Sequence, residues 1–265
     1  MEKISKAQVK FVRSLQLKKV RDEEGLFVAE GEKCVEELRR GFELVSLYRE
    51  GENATRTEIE QMSSLKTPQG VIGVFKKSVS PKDGQSGEAG LILVLDGVQD
   101  PGNLGTIIRT CDWFGVHEIV CSKDTADCYN PKVVQATMGA LARVNLRYLD
   151  LVEWLSPLRL PHEGGEKVRI YGTLLDGKNM YEVLSGEAGL SVSRASGLCS
   201  VSEQNERSVI IMGNEGNGIS AAVRQFITDP IYIPTYPNKE TSDVVESLNV
   251  SIATAIVLAE FRRPR

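Results

Sequence analysis

The sequence predicts an α/β protein built on a mainly parallel sheet and preceded by a small α/β module. LILVL (91–95) is a continuous aliphatic run, as in a strand covered on both faces. After it, strand-like and helix-like segments alternate, the pattern of parallel strands joined by helical crossovers. Ahead of it lies SVSPKDGQSGEAG (78–90), rich in Gly, Ser and Pro, with no large apolar residue after Val79. That composition reads as a linker. The chain of 265 residues is therefore expected to hold modules at 1–78 and 91–265, joined by 79–90.

Residues 3–20 suit one helix, with Ile4, Ala7, Val9, Phe11, Val12 and Leu15 apolar. LFVAEG (26–31) reads as a strand and EKCVEELRRG (32–41) as a helix ended by Gly41. ELVSLYRE (43–50) and GVIGVF (70–75) are further strands. Beyond the linker, LILVL enters the turn-rich stretch DGVQDPGNLG, then a helix around 103–114 and the strand EIVC (118–121). VVQATMGALA (133–142) is expected as a helix and VNLR (144–147) as a strand. VRIYGTLL (168–175), SVIIMG (208–213) and PIYIP (230–234) are strand candidates, and a helix near 247–262 closes the chain. Gly186 to Arg207 is polar, rich in Ser and Gly and without periodicity, and reads as an exposed insertion.

Composition excludes several classes. No apolar run approaches the roughly 20 residues needed to span a bilayer, and residues 1–21 are too charged for a secretory signal. A cytoplasmic protein is expected. The five cysteines are scattered without a CxxC pair and only two histidines are present, so neither a metal site nor a disulfide framework is expected. A net charge of −4 does not suggest nucleic acid, but residues 1–21 hold seven Lys and Arg against one Glu. Such a patch can meet a phosphate backbone, and a solvated helix face explains it equally well.

Three segments carry candidate chemistry. In LDGVQDPGNLGTIIRTCDWFG (95–115) a strand feeds a loop and a helix bearing Asn103 and Arg109. These lie about 9 Å apart along the helix axis and can bracket one substrate unit. An Asn near an N-cap and an exposed Arg would look the same. In VIIMGNEGNGISAAVRQF (209–226) a strand feeds a Gly-rich turn that lacks both the P-loop Lys and the GxGxxG spacing. Glu215 would repel phosphate there, so the turn suits a neutral or cationic ligand, or simply a tight turn. In the third segment Glu246, Ser247 and Asn249 precede a helix that is apolar on all faces, with Ser247 as its natural N-cap. An all-round apolar helix is buried in a core or against a partner.

In this order, PGNLGTIIRT, IIMGNEGNGIS and IP…ESLNVSIATAIVLAE strongly resemble the SpoU (TrmH-like) branch of the SPOUT superfamily of RNA ribose-2′-O-methyltransferases. The resemblance covers about 90–265. FVAEGEKCVEEL and TPQGVIGVF resemble, more weakly, the ribosomal-protein-like substrate-binding domain of many rRNA-directed members. The resemblance implies a C-terminal deep trefoil knot, which topology rules treat as rare. It also implies an S-adenosylmethionine pocket formed by that knot and a homodimer through the knot domain. Asn103 and Arg109 fall on the first motif's catalytic pair, Glu215 on the second motif's acid, and Ser247 and Asn249 on the polar pair of the third. Backbone groups of Gly213, Ile233 and Leu248 would hold the cofactor, with Thr173, Asn214 and Gly218 lining the pocket.

The implied activity is methyl transfer from S-adenosylmethionine to a ribose 2′-hydroxyl of structured RNA. The extra N-terminal module favours 23S ribosomal RNA over tRNA, by family analogy alone. Family proposals make the arginine a base, but a guanidinium with a pKa above 12 gives up its proton at great cost. Arg109 is better read as stabilising the developing alkoxide. A non-catalytic RNA-binding or ribosome-assembly protein would share the fold but need not keep these five polar residues. A nucleotide-binding oxidoreductase would need GxGxxG after LILVL.

Overall fold

The computed structural model describes residues 4–78, 90–159, 168–185, 208–236 and 247–263. The linker at 79–89, the 186–207 insertion and Glu246 lie outside the described residues. Numbered in chain order, the N-terminal elements are α1 (Lys6–Ser14), α2 (Lys18–Glu24), β1 (Leu26–Glu30), α3 (Glu32–Leu38), β2 (Leu44–Arg49), α4 (Arg56–Met62) and β3 (Val71–Lys76). Next come β4 (Leu91–Leu95), α5 (Pro101–Trp113), β5 (Glu118–Ser122), α6 (Pro131–Thr137), β6 (Asn145–Leu149) and α7 (Leu151–Leu155). The chain ends with β7 (Arg169–Asn179), α8 (Met180–Ser185), β8 (Ser208–Met212), α9 (Ala221–Arg224), β9 (Asp229–Tyr232) and α10 (Val250–Phe261).

The chain forms two compact units that do not follow its order. The first comprises Met1–Gly84, Asp100–Asp112 and Ala126–Asn145, so the N-terminal module keeps company with most of α5 and all of α6. Its sheet is antiparallel in the order β1-β3-β2. Val9, Val12 and Leu15 from the first helical turns join Val28, Tyr48, Ile59, Met62, Ile72 and Val74 in one core.

The second unit holds a six-stranded sheet in the order β6-β5-β4-β8-β7-β9, with parallel pairing at β4–β5, β4–β8, β7–β8 and β7–β9. This matches the expected mainly parallel α/β sheet, and LILVL is one of its central strands. Ile92, Val94, Ile170, Val209 and Ile211 bury one face against Leu151, Leu155, Val223 and Phe226. At the end of α10, Phe261 meets Tyr171 edge-on at 4.9 Å, and Nη2 of Arg262, the next residue, donates to the Gly115 carbonyl at 3.0 Å.

Several elements differ from expectation for identifiable reasons. The single helix over 3–20 is two, because Leu15 is fully buried and Leu17 turns to an extended backbone (φ −85°, ψ 128°). Arg21 then folds back, and its Nη1 donates to the carbonyls of Leu15 and Gln16 at 3.0 and 2.7 Å, closing the end of α1. The helix over 133–142 stops at Thr137: Met138 takes the left-handed conformation (φ 51°), and Gly139 follows at φ 91°. Gly139 presses so closely on α3 that a Cβ there would lie 2.3 Å from Glu37 Cβ. Helix α4 was not expected, although Thr55 and Glu58 form a reciprocal capping box that announces it. Asn249, not Ser247, caps α10, because its Oδ1 accepts the amides of Ser251 and Ile252.

Candidate active site

Strand order in the large sheet reverses between β4 and β8, where open parallel sheets present a ligand crevice at their carboxyl ends. The loops leaving these two strands are tied together. Asp96 Oδ2 accepts the Ser220 amide at 2.7 Å. Gly97 sits at φ +75°, a conformation that disfavours a side chain, and a Cβ there would also come within 3.2 Å of Asp124 Oδ2. Its amide donates to Ser122 Oγ at 2.8 Å and its carbonyl accepts Asn214 Nδ2 at 2.7 Å. Thr125 Oγ1 donates to the Leu95 carbonyl at 3.2 Å, anchoring the 122–125 turn to the strand end.

The Gly-rich turn 213–218 spends its donors internally. Asn214 and Gly218 exchange both backbone hydrogen bonds, at 2.9 and 3.0 Å. Asn214 Oδ1 accepts the amides of Gly216 and Asn217 at 2.9 and 3.0 Å. A phosphate-binding nest needs these amides pointing outward, and here they point in. The loop is closed so tightly that a Cβ on Gly213 would lie 2.3 Å from the Gly218 carbonyl carbon. What remains exposed is Glu215 with Gly216, Asn217 and Gly218. A carboxylate beside a turn with four amides drawn inward suits a cationic or neutral ligand better than a pyrophosphate.

The adjacent strands bring further expected residues to the same edge. Thr173 on β7 donates to the Ile211 carbonyl at 3.2 Å and pairs in register with Ile231, two residues before Ile233. Gly213 and Ile233 thus lie just beyond the ends of β8 and β9, and Thr173 sits on β7 between those strands at the point where its register with β9 shifts. Ser247, Leu248 and Asn249 are exposed ahead of α10. Residues 237–246, between them and β9, lie outside the described residues.

In the first unit, Asp100 Oδ1 accepts the Asn103 amide at 2.8 Å and starts α5, with Pro101 at its first position. Leu104, Gly105, Ile107, Ile108 and Cys111 form the buried side of α5. Gly102, Thr106 and Arg109 make one exposed stripe, while Asn103 is half-buried. Among the described residues no ion-pair partner of Arg109 is seen, which leaves a guanidinium at the surface. Burial pushes the Cys34 thiol up to about 11, far from the range of an activated nucleophile.

Residues 90–259 match the model of the SpoU rRNA Methylase family, and residues 6–57 match the MRM3-like substrate binding domain. This chain belongs to the SpoU rRNA methylase family. It is 28% identical to the Bacillus subtilis 23S rRNA (guanosine(2553)-2′-O)-methyltransferase RlmP, covering 99% of this chain and 98% of that protein. It is 32% identical to the Neisseria meningitidis 23S rRNA (guanosine-2′-O-)-methyltransferase RlmB over 74% of this chain and 70% of that one. Among solved structures, an S-adenosylmethionine-bound rRNA methyltransferase from Sinorhizobium meliloti superposes with a TM-score of 0.76 at 28% identity, covering 99% and 97% of the two chains. A Porphyromonas gingivalis protein described as a TrmH-family RNA methyltransferase does so at 0.76 and 36%, covering 98% of each.

For this SpoU-family chain, sequence reasoning missed the Asp96, Ser122 and Thr125 supports. Their signal was present: three polar side chains at the ends of buried aliphatic strands, where an unpaired group would be costly. Asn214, expected as a pocket liner, also ties two loops together through its carboxamide.

Proposed function

We propose that the chain transfers a methyl group from S-adenosylmethionine to a ribose 2′-hydroxyl of 23S ribosomal RNA. The observation that carries this reading is the family match over 90–259 together with a Gly-rich turn whose amides are withdrawn and whose exposed acid is Glu215. Both 23S-directed relatives, from Bacillus subtilis and Neisseria meningitidis, are named for guanosine, and that nucleoside is the expected target.

Backbone groups of Gly213, Ile233 and Leu248 would hold S-adenosylmethionine, with Thr173, Asn214 and Gly218 around it. The cofactor supplies an electrophilic methyl on a neutral leaving group, so the chain needs no covalent nucleophile. Its work is to place the ribose oxygen and stabilise charge as that oxygen loses its proton. Arg109 does the second, since a guanidinium holds an alkoxide better than it accepts a proton. Asn103 orients the ribose, Glu215 offers a negative charge to the cationic ligand, and Ser247 and Asn249 complete the polar set. The C-terminal segment forms the trefoil knot of the family. On α10, Ile252 is 54% exposed and Ile256 and Ala259 continue its face, which suits a homodimer through this domain. Residues 1–78 form the RNA-binding module, in a cytoplasmic protein with no resident metal.

Arg109→Ala should lower methyl transfer to transcribed 23S RNA by about 10²–10³-fold. Affinity for S-adenosylmethionine in a calorimetric titration should stay within a few fold. Equal loss of both, or turnover near wild type, removes Arg109 from the charge-stabilising role.

A further inference from the structure

The helix that carries Asn103 and Arg109 is clamped to the N-terminal module by one side chain. Arg143 follows the short 3-10 turn Ala140–Ala142 in the first unit. Its Nε lies 2.9 and 3.0 Å from the two carboxylate oxygens of Asp112, and Nη2 donates to Asp112 Oδ2 at 2.7 Å. Its remaining arm, Nη1, donates to Glu37 Oε2 on α3 at 2.7 Å. Asp112 is three residues after Arg109, one helical turn along α5. Glu37 also pairs with Arg40, so two guanidiniums fix it.

The neighbouring backbones leave this clamp little slack. A Cβ on Gly105 would lie 2.5 Å from Ala136 Cβ and 2.9 Å from the Val133 carbonyl, so α5 and α6 run in close contact. Gly139 abuts Glu37, and Cys34 Sγ reaches the Val134 carbonyl at 3.9 Å. Helix α5 therefore meets α6 through Gly105 and α3 through the Arg143 bridge. Only a planar fork can satisfy one carboxylate with two teeth and a second with its free arm; an ammonium cannot.

We infer that Arg143 is a positioning residue for methyl transfer, fixing the Gly102–Thr106–Arg109 stripe relative to the module that binds RNA. This rests on the function proposed above. The bridge is partly exposed, Arg143 at 41%, Asp112 at 19% and Glu37 at 21%, so it contributes modestly to folding and its geometric role is separable. Displacing a catalytic group by about 1 Å is enough to cost a large factor in rate.

The test compares full-length wild type with Arg143→Ala, Arg143→Lys and Glu37→Gln, using tritiated S-adenosylmethionine and transcribed 23S RNA. Arg143→Ala should lower kcat about tenfold, with KM for RNA and cofactor affinity within about twofold and a melting temperature within a few degrees. Arg143→Lys should recover only a small part of the rate. Glu37→Gln should lower kcat severalfold, and combined with Arg143→Ala should add nothing further, the mark of one shared interaction. Wild-type kcat in Arg143→Ala, or a loss tracked by KM and melting alike, overturns the inference alone. No transfer by the wild-type chain overturns the functional reading and this inference together.

Discussion

Helices α1 and α2 carry three cations each, but they use them differently. On α1, Lys6, Lys10 and Arg13 are exposed at i, i+4 and i+7, one face of the helix. None has an ion-pair partner among the described residues. On α2, Lys18 meets Asp22 at 2.7 Å and Lys19 meets Glu23 at 3.8 Å. Arg21 is buried, 2.7 Å from Asp127. The basic stretch expected from the sequence therefore divides into a helix with charge to offer a phosphate backbone and a helix whose charge is committed internally. Arg21 is scaffold, and Lys18 and Lys19 stay at the surface beside their acids.

The largest effect should come from α2. Arg21→Ala leaves the Leu15 and Gln16 carbonyls without their donor and Asp127 without its cation. Breaking a buried pair from one side costs about 3–5 kcal/mol. Urea unfolding should show that loss, and a change under 1 kcal/mol would mean the guanidinium is dispensable there. Next in size is the triple substitution of Lys6, Lys10 and Arg13 by Ala. If all three meet phosphates, the salt slope of RNA binding should fall by about 2–3, with unfolding little changed. Lys18→Ala with Lys19→Ala should leave that slope as it was. Equal effects from the two helices would erase the distinction between them.

Much of this was legible in the sequence, and the failures have a common cause. Aliphatic runs such as LILVL and SVIIM located the central strands because burial on both faces leaves a composition that nothing else requires. The three motifs pointed to the SpoU family because their order along the chain survives folding, and they single out Asn103, Arg109 and Glu215 as candidates. What sequence hid depends on distant pairs. Arg143 bridges Asp112 and Glu37, 31 and 106 positions away, and no local pattern marks either partner. Arg21 counted as surface charge for the same reason, since its partner Asp127 is 106 residues on. Helix ends failed likewise: α6 stops at Thr137 because Gly139 must fit against α3, a tertiary demand that overrides a run of good helix formers.

The smallest effect also probes the boundary between the two helices. Asp22 accepts from Lys18 and Lys77, and these hydrogen bonds hold its carboxyl down to about 2, below its ordinary 3.8. A depressed folded-state value means its contribution is complete above the unfolded value and fades as pH falls from about 4 through 2. Asp22 is 47% exposed, so screening leaves under about 1 kcal/mol, and Asp22→Asn should shift unfolding at neutral pH only slightly. Its effect on RNA should be more telling. Removing the carboxylate frees the exposed Lys18 of its counter-charge at the end of α2 nearest α1, and the salt slope should rise by about 0.7–0.9 if the RNA backbone passes there. A slope that stays at the wild-type value would confine the RNA contact to α1, and the comparison would then rest on where the charges point as well as on which of them are paired.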